Sequence, residues 1–560
     1  MAPLDAETKT EPQRVKLYDT TLRDGSQSSD INFTLGEKLD LLREFDDFGF
    51  DYIEGGWPRP HSVDEEFFRE ASKIKLKNAR LTAFGSTRKV RGKIEEDVVL
   101  RSLLESGVQS ATVFGKTWLH HVSYQLKATP EENLELIDET IRYLLDNPIK
   151  PMREVIYDPE HFFDGYKDDP EYALRTVKQA ILAGADVIAL CDTNGGTLHY
   201  EVGEIVGKVK KFIESDEEIQ KATERRHVTL GIHTHNDSGL AVASTIEAIR
   251  AGATHVQGTV NGFGERIGNA NLNTIISVLA LKTPYRLPEA IKLEKLTALS
   301  EKVYRVAGLR PREDQPFCGV KAFAHDGGVH VDAVLKGASY QHIDPAAVGN
   351  KTRIVLSTNS GKASVMAVAR SFGYDVDKSD PRLQAMLDEI QEKCAEGFNM
   401  GLLENEHELL TLGHFGEVKT DIEVHRCDVT SHYAKYEGDI EHDNSCVLKV
   451  RLNGKEYKVF EDDENGPVAI SFKAVREALQ KAGLPTNFRL VNYEVGLPKK
   501  WNVGAEARIQ VYITYATDEG ELITTSGFHE DIVVASRESL IKVVLLLASR
   551  KPPKKSRSKK

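Results

Sequence analysis

Between residues 15 and 262 the chain repeats one rhythm eight times: a short β-rich run, a polar or glycine-containing turn, then a helical stretch. The runs span 15–21, 50–56, 80–85, 110–115, 154–158, 186–193, 228–235 and 254–262. Stretches such as GEKLDLLREFDDFG and YALRTVKQAILAGA lie between them, with apolar residues at the spacing of an amphipathic helix. Strands that alternate with helices pair in parallel. Eight such units over about 250 residues match a closed (β/α)8 TIM barrel. The alternative is an open doubly wound sheet, but no dinucleotide-binding turn is present: GFGERIG lacks the GxGxxG spacing, and STNSGKAS lacks the upstream glycine of a P-loop.

The rest of the chain has two textures. Residues 291–420 read as a helical linker region that carries a Gly/His-rich insert, KAFAHDGGVHVDAVLKG. Residues 421–549 read as a small α+β domain, with strand-like runs DIEVHRCDV, SCVLKVRLNGKEYKVF, FRLVNYEVGL and ARIQVYITYAT and two helices. The expected architecture is therefore α/β: a barrel over 15–290, the linker, then the α+β domain. Residues 1–14 and the basic tail 550–560 are expected to be disordered ends.

Composition narrows the partners. A net charge of −13 argues against nucleic acid, because phosphate binding wants a basic face. No apolar run approaches the roughly 18 residues a membrane helix needs. The five cysteines are scattered, with no CxxC pair, and the first residues look like neither a signal nor a transit peptide. A reducing, cytoplasmic setting is expected.

In a TIM barrel the reacting groups sit at the C-terminal ends of the strands. Here those positions are polar: Arg23 and Asp24 after the first run, Glu54 on the second, Lys116 after the fourth, Asp158 and Glu160 at the fifth, Asp192 and Thr193 at the sixth, His233 and His235 at the seventh, Asn269 after the eighth. His233 and His235 are two apart on a strand, so both point the same way. With Asp24 as the carboxylate they form a candidate site for a divalent metal, Mn²⁺, Zn²⁺, Mg²⁺ or Co²⁺. Taken without Asp24, two buried, hydrogen-bonded histidines remain an alternative. Arg23 beside Asp24 suits an oxygen that gains negative charge, such as the keto oxygen of a 2-keto acid chelated to the metal.

Together YDTTLRDGSQ, HTHND and GERIGNANL resemble the signature of the 2-isopropylmalate, homocitrate and citramalate synthase family, over nearly the whole chain. The stretches DYIEGGWPRP, SATVFGKTW, YDPEHFFDGYKDDPEYAL, CDTNGGT and AHDGGVHVDAVLK are most similar to its citramalate-forming branch. The resemblance implies an acyltransferase that uses acetyl-CoA as co-substrate with pyruvate and water, at an entry to isoleucine synthesis. It implies Asp24, His233 and His235 as metal ligands, with Asn269 a fourth or near ligand. Arg23 would hold the keto oxygen, with Glu160, Thr193 and Asp158 by the substrate. It also implies a catalytic histidine from a partner subunit at His330, with Tyr340 helping and His325 competing for the role, and hence a homodimer or larger assembly. DDENGPVAI and SGFHEDIVVASRESL resemble the family's allosteric domain, which implies an amino-acid effector, isoleucine or else leucine. Siblings using other 2-keto acids are the nearest alternative activities. An HMG-CoA-lyase-like reaction is more remote, because lyases lack the C-terminal domain.

Overall fold

The computed structural model describes residues 12–148, 150–326, 340–436, 439–463, 465–497 and 507–550. They divide into two units: the first runs to Phe323 and takes in Ile343–Lys351, and the second holds Ala324–His342 and the chain from Thr352 onward.

The first unit is the expected barrel. Its strands are β1 (Lys16–Asp19), β2 (Tyr52–Gly56), β3 (Arg80–Ser86), β4 (Ser110–Lys116), β5 (Glu154–Glu160), β6 (Val187–Asp192), β7 (Thr229–Thr234) and β8 (His255–Gly258). They close in sequence order, and β1 pairs in parallel with both β2 and β8. Helices pack around the outside, so the strands are buried on both faces and read as nearly continuous apolar runs. The helix Leu35–Phe48 starts at a capping box between Thr34 and Glu37, which satisfies two end N–H groups reciprocally. Alternation along each strand sorts its side chains. On β7, Thr234 faces outward and hydrogen-bonds Thr245 and the Ala241 carbonyl of the following helix. The intervening positions Gly231, His233 and His235 face the interior. Low in that interior, His255 packs against the rings of both Tyr18 and Tyr52, 5.2 and 5.4 Å away.

The eighth strand is shorter than its sequence suggests. It stops at Gly258, and Val260–Gly262 form a 3-10 turn with Asn261 at φ 65°. Asparagine tolerates that left-handed conformation. Its side chain is held by Asn273, Ser300 and Gln315, which end the strand there. At the other end of the barrel Arg14 already pairs with Arg286 through the backbone and with Asp51 through its guanidinium.

The second unit contains three helices, Lys362–Ser371, Pro381–Ala395 and Glu404–Phe415, around a core that includes Leu356, Val365, Met386 and Ile390. Two three-stranded antiparallel sheets follow: β9 (Ile422–Tyr436), β10 (Asp439–Leu452) and β11 (Lys455–Asp463), then β12 (Phe488–Gly496), β13 (Ile509–Thr517) and β14 (Leu522–His529). A helix follows each sheet, Pro467–Lys481 and Ile532–Ser549, and both halves share one core. The class is the α+β expected, but the strand count is corrected from four to six. SCVLKVRLNGKEYKVF is a hairpin, turning at Asn453 and Gly454, both at positive φ. β14 adds a third strand to the second sheet, over a segment for which the sequence suggested no element. No helix among the described residues is long and apolar enough to cross a membrane.

Candidate metal centre at the barrel rim

Asp24, His233 and His235 converge as expected. One ligand atom from each lies within 4.8 Å of the others, and all three residues are buried. The two Nε2 atoms are 3.3 Å apart, and each lies 3.8 Å from Oδ2 of Asp24. Burial pushes the His233 imidazole down to about 3, and it lowers His235 too, so both rings are neutral near neutral pH. Burial alone would disfavour the Asp24 carboxylate, but the Arg23 charge, aided by the Asn269 hydrogen bond and by the imidazoles once they protonate at low pH, outweighs it and holds the group well below the usual range. The site thus offers an ionised oxygen and neutral imidazole nitrogens.

That donor set fits a divalent cation. With metal–nitrogen bonds of about 2.1 Å, neighbouring ligand atoms lie roughly 3.0–3.4 Å apart, close to the observed imidazole spacing. Two buried polar atoms at the site, Nδ1 of His235 and Oδ1 of Asn269, have no hydrogen-bond partner among the described residues. Buried polar atoms rarely go without a partner, and a bound ion or ordered water satisfies such groups. Asn269 donates from Nδ2 to Oδ1 of Asp24 at 2.7 Å, and its backbone bridges that of His235. It therefore stands beside the triad with its carbonyl oxygen uncommitted.

The glycines of GERIGN are required by this packing. A Cβ on Gly264, at φ 149°, would come 2.2 Å from Nδ2 of Asn269, and one on Gly268 would come 1.9 Å from the Gly262 carbonyl. Between them Arg266, at φ 59°, forms a bidentate pair with Asp237 at 2.7 and 2.8 Å. The loops after β7 and β8 are thereby tied together.

Arg23 is oriented from three sides. Its Nε donates to Glu54 Oε2 and its Nη1 to Asp24 Oδ2, both at 2.6 Å, and its guanidinium lies 3.9 Å from the Phe84 ring centroid. Glu54 is fully buried and also accepts from the hydroxyls of Tyr18 and Thr20. From the sequence Glu54 is a polar strand residue without a role, and its grip on Arg23 emerges only from the fold. Phe84, Phe114 and Trp57 form an aromatic cluster next to Arg23.

Of the remaining expected residues, Asp158, Glu160 and Thr193 lie at the C-terminal ends of β5 and β6, on the same rim. Asp158 is buried on β5, and burial together with the Glu54 charge pushes it up to about 8. Glu160 ends β5 and is paired with Lys116 at the end of β4. Thr193 follows β6; its hydroxyl accepts from the His161 amide and its carbonyl from Arg266. Tyr340 and His325 belong to the second unit, where Tyr340 is half exposed and His325 contacts Gln341. His330 lies outside the described residues.

Known proteins place the chain further. Residues 14–303 match the HMGL-like family, 317–397 the homocitrate synthase post-HMGL domain-like family, and 406–547 the LeuA allosteric (dimerisation) domain. An (R)-citramalate synthase of Aquifex aeolicus is 40% identical across 94% of this chain and 97% of its own. One from Geobacter sulfurreducens is 40% identical across 94% and 96%. A probable 2-isopropylmalate synthase of Methanopyrus kandleri is 30% identical across 96% and 99%.

Proposed function

The chain belongs to the HMGL-like enzymes and, among them, to the (R)-citramalate synthase family, and from that membership we propose that it condenses acetyl-CoA with pyruvate and water to give (R)-citramalate and CoA. It is an acyltransferase whose barrel carries the chemistry. The observation that supports this reading most strongly is the buried triad Asp24, His233 and His235 with Arg23 locked beside it.

A divalent cation held there by Asp24, His233 and His235, with Asn269 alongside, supplies Lewis acidity toward a 2-keto acid. The donor set admits Mn²⁺, Zn²⁺, Mg²⁺ or Co²⁺. The protein's own groups do the rest. Arg23, held by Glu54 and Asp24, offers its remaining N–H groups to the keto oxygen as that oxygen gains charge. Asp158 and Thr193 bound the substrate side of the rim. A base drawn from Glu160, Tyr340 and His330 takes a proton from the acetyl methyl. The resulting enolate attacks the keto carbon, and water then cleaves the thioester and releases CoA. His330 and Tyr340 come from a partner subunit in this reading, so the enzyme works as a homodimer or larger assembly. The C-terminal domain binds isoleucine, or else leucine, and feeds back on activity, as suits an enzyme of isoleucine synthesis in the cytoplasm.

Incubation with acetyl-CoA, pyruvate and Mn²⁺, followed by chiral chromatography, tests the reading. It expects (R)-citramalate in step with CoA release, and none from His233→Ala. CoA release without citramalate, or undiminished turnover by H233A, would overturn it.

A further inference from the structure

The imidazole of His233 is gripped from behind by a residue with no assigned role. His233 on β7 and Gln257 on β8 are register partners in parallel strands, so their side chains stand next to each other inside the barrel. Nδ1 of His233 lies 2.9 Å from Oε1 of Gln257, and Nε2 of Gln257 donates to Oδ1 of Asp158 at 3.1 Å. Gln257 is fully buried, and Asp158 and His233 are nearly so.

An amide oxygen can only accept a hydrogen bond. His233 therefore carries its single hydrogen on Nδ1, and Nε2 is left bare and aimed at Asp24 and His235. With the amide reversed, an NH2 group would face Nδ1 and the hydrogen would move to Nε2, where it would block a metal. Asp158 disfavours that reversal by accepting from the NH2 end. His235 has no such grip, since its Nδ1 has no partner among the described residues. One imidazole is thus preset for binding, and the other must settle its tautomer when a cation arrives.

We propose that Gln257 is a positioning residue that presets the tautomer and ring orientation of His233 for metal binding, with Asp158 anchoring its amide. The proposal rests on reading Asp24, His233 and His235 as a metal centre. Outer partners of ligating histidines commonly contribute 10–100-fold to metal affinity.

The test titrates the full-length apo protein with Mn²⁺ and follows free Mn²⁺ by electron paramagnetic resonance. Gln257→Met removes the acceptor at similar volume and is expected to weaken binding about 10–100-fold, with the apo protein melting near the parent temperature. Gln257→Glu restores an acceptor and is expected to bind within about threefold of the parent. If Q257M does not fold, Asp158→Leu frees the amide and is expected to weaken binding in the same direction. Parent-like affinity in Q257M, or in D158L when it takes the place of Q257M, overturns the inference. Weak binding by Q257E overturns it as well. If the parent itself binds no Mn²⁺, the metal reading fails and the inference with it, whereas binding by the parent that H233A loses confines any failure to Gln257.

Discussion

Arg23, in the turn after β1, and Glu54 on β2 form a buried ion pair, with Nε 2.6 Å from Oε2 and the carboxylate wholly out of solvent. The pair fixes the guanidinium against Phe84 before any substrate arrives. Removing Glu54 leaves the buried guanidinium with Asp24 as its remaining ion-pair partner and an empty place at Nε. Glu54→Ala is therefore expected to cost about 3–5 kcal/mol of stability and to lower kcat by about 10²–10³. Arg23→Lys is expected to do nearly as badly, since an ammonium cannot hold two carboxylates in the planar arrangement. Thermal melts and steady-state kinetics check both, and parent-like turnover in E54A would contradict the assignment of Arg23.

Gly264 tests whether Asn269 belongs to the site. Gly264→Ala adds a methyl that meets Asn269 Nδ2 and forces a left-handed conformation, which costs about 1–2 kcal/mol. The expected result is a folded protein with weaker metal binding and lower kcat. Isothermal titration with Mn²⁺ measures it, and unchanged affinity would remove Asn269 from the ligand neighbourhood.

Chelation should abolish turnover, and a divalent cation should restore it. Because the cation binds the folded chain and no preformed site exists in the unfolded one, metal at about 100 times Kd should add about 2.7 kcal/mol of stability. A melt with and without EDTA reads this directly. Full activity after exhaustive chelation would exclude the metal centre.

His255 makes the barrel acid-sensitive. Burial pushes its imidazole down to about 3, and neither ring nitrogen has a partner among the described residues. The unfolded chain takes up this proton near pH 6.5, while the folded chain resists it until about pH 3. Stability from this group is therefore complete above about pH 6.5 and falls by about 1.4 kcal/mol per pH unit through that window. Comparing melts of the parent and His255→Leu at pH 7.5 and 5.0 isolates the effect. The variant should lose less on acidification, and equal losses would show that His255 is not the group responsible.

The barrel and much of its rim were legible in the sequence, because both rest on local pattern. Strand–helix alternation marks the fold. The His-x-His of β7 needs only the two-residue period of a strand to bring its rings together. Arg23 and Asp24 follow from their place after β1. Contacts between distant strands were not legible. Glu54 was visible as a strand residue, but its grip on Arg23 spans 31 positions, and the pairing of His233 with Gln257 depends on the register of β7 against β8. Lys116 and Glu160 meet for the same reason, at the paired ends of β4 and β5. The Asn453–Gly454 hairpin is different. Asn-Gly between alternating runs is a strong local turn signal, so the break within 445–460 lies in the sequence itself. β14 was obscured by its neighbours, since LITTSGFH runs straight into the helix that begins at Ile532.

As a citramalate synthase, this barrel should join an acetyl group to pyruvate in preference to larger 2-keto acids. Pocket volume decides that choice, at about 1–3 kcal/mol per methylene. Initial rates of CoA release with acetyl-CoA and a panel of pyruvate, 2-ketobutyrate, 2-ketoisovalerate and 2-ketoglutarate measure it directly. The highest kcat/KM is expected for pyruvate, with 2-ketoisovalerate at least about tenfold lower. A preference for 2-ketoisovalerate or 2-ketoglutarate would contradict it and assign the chain to a sibling activity.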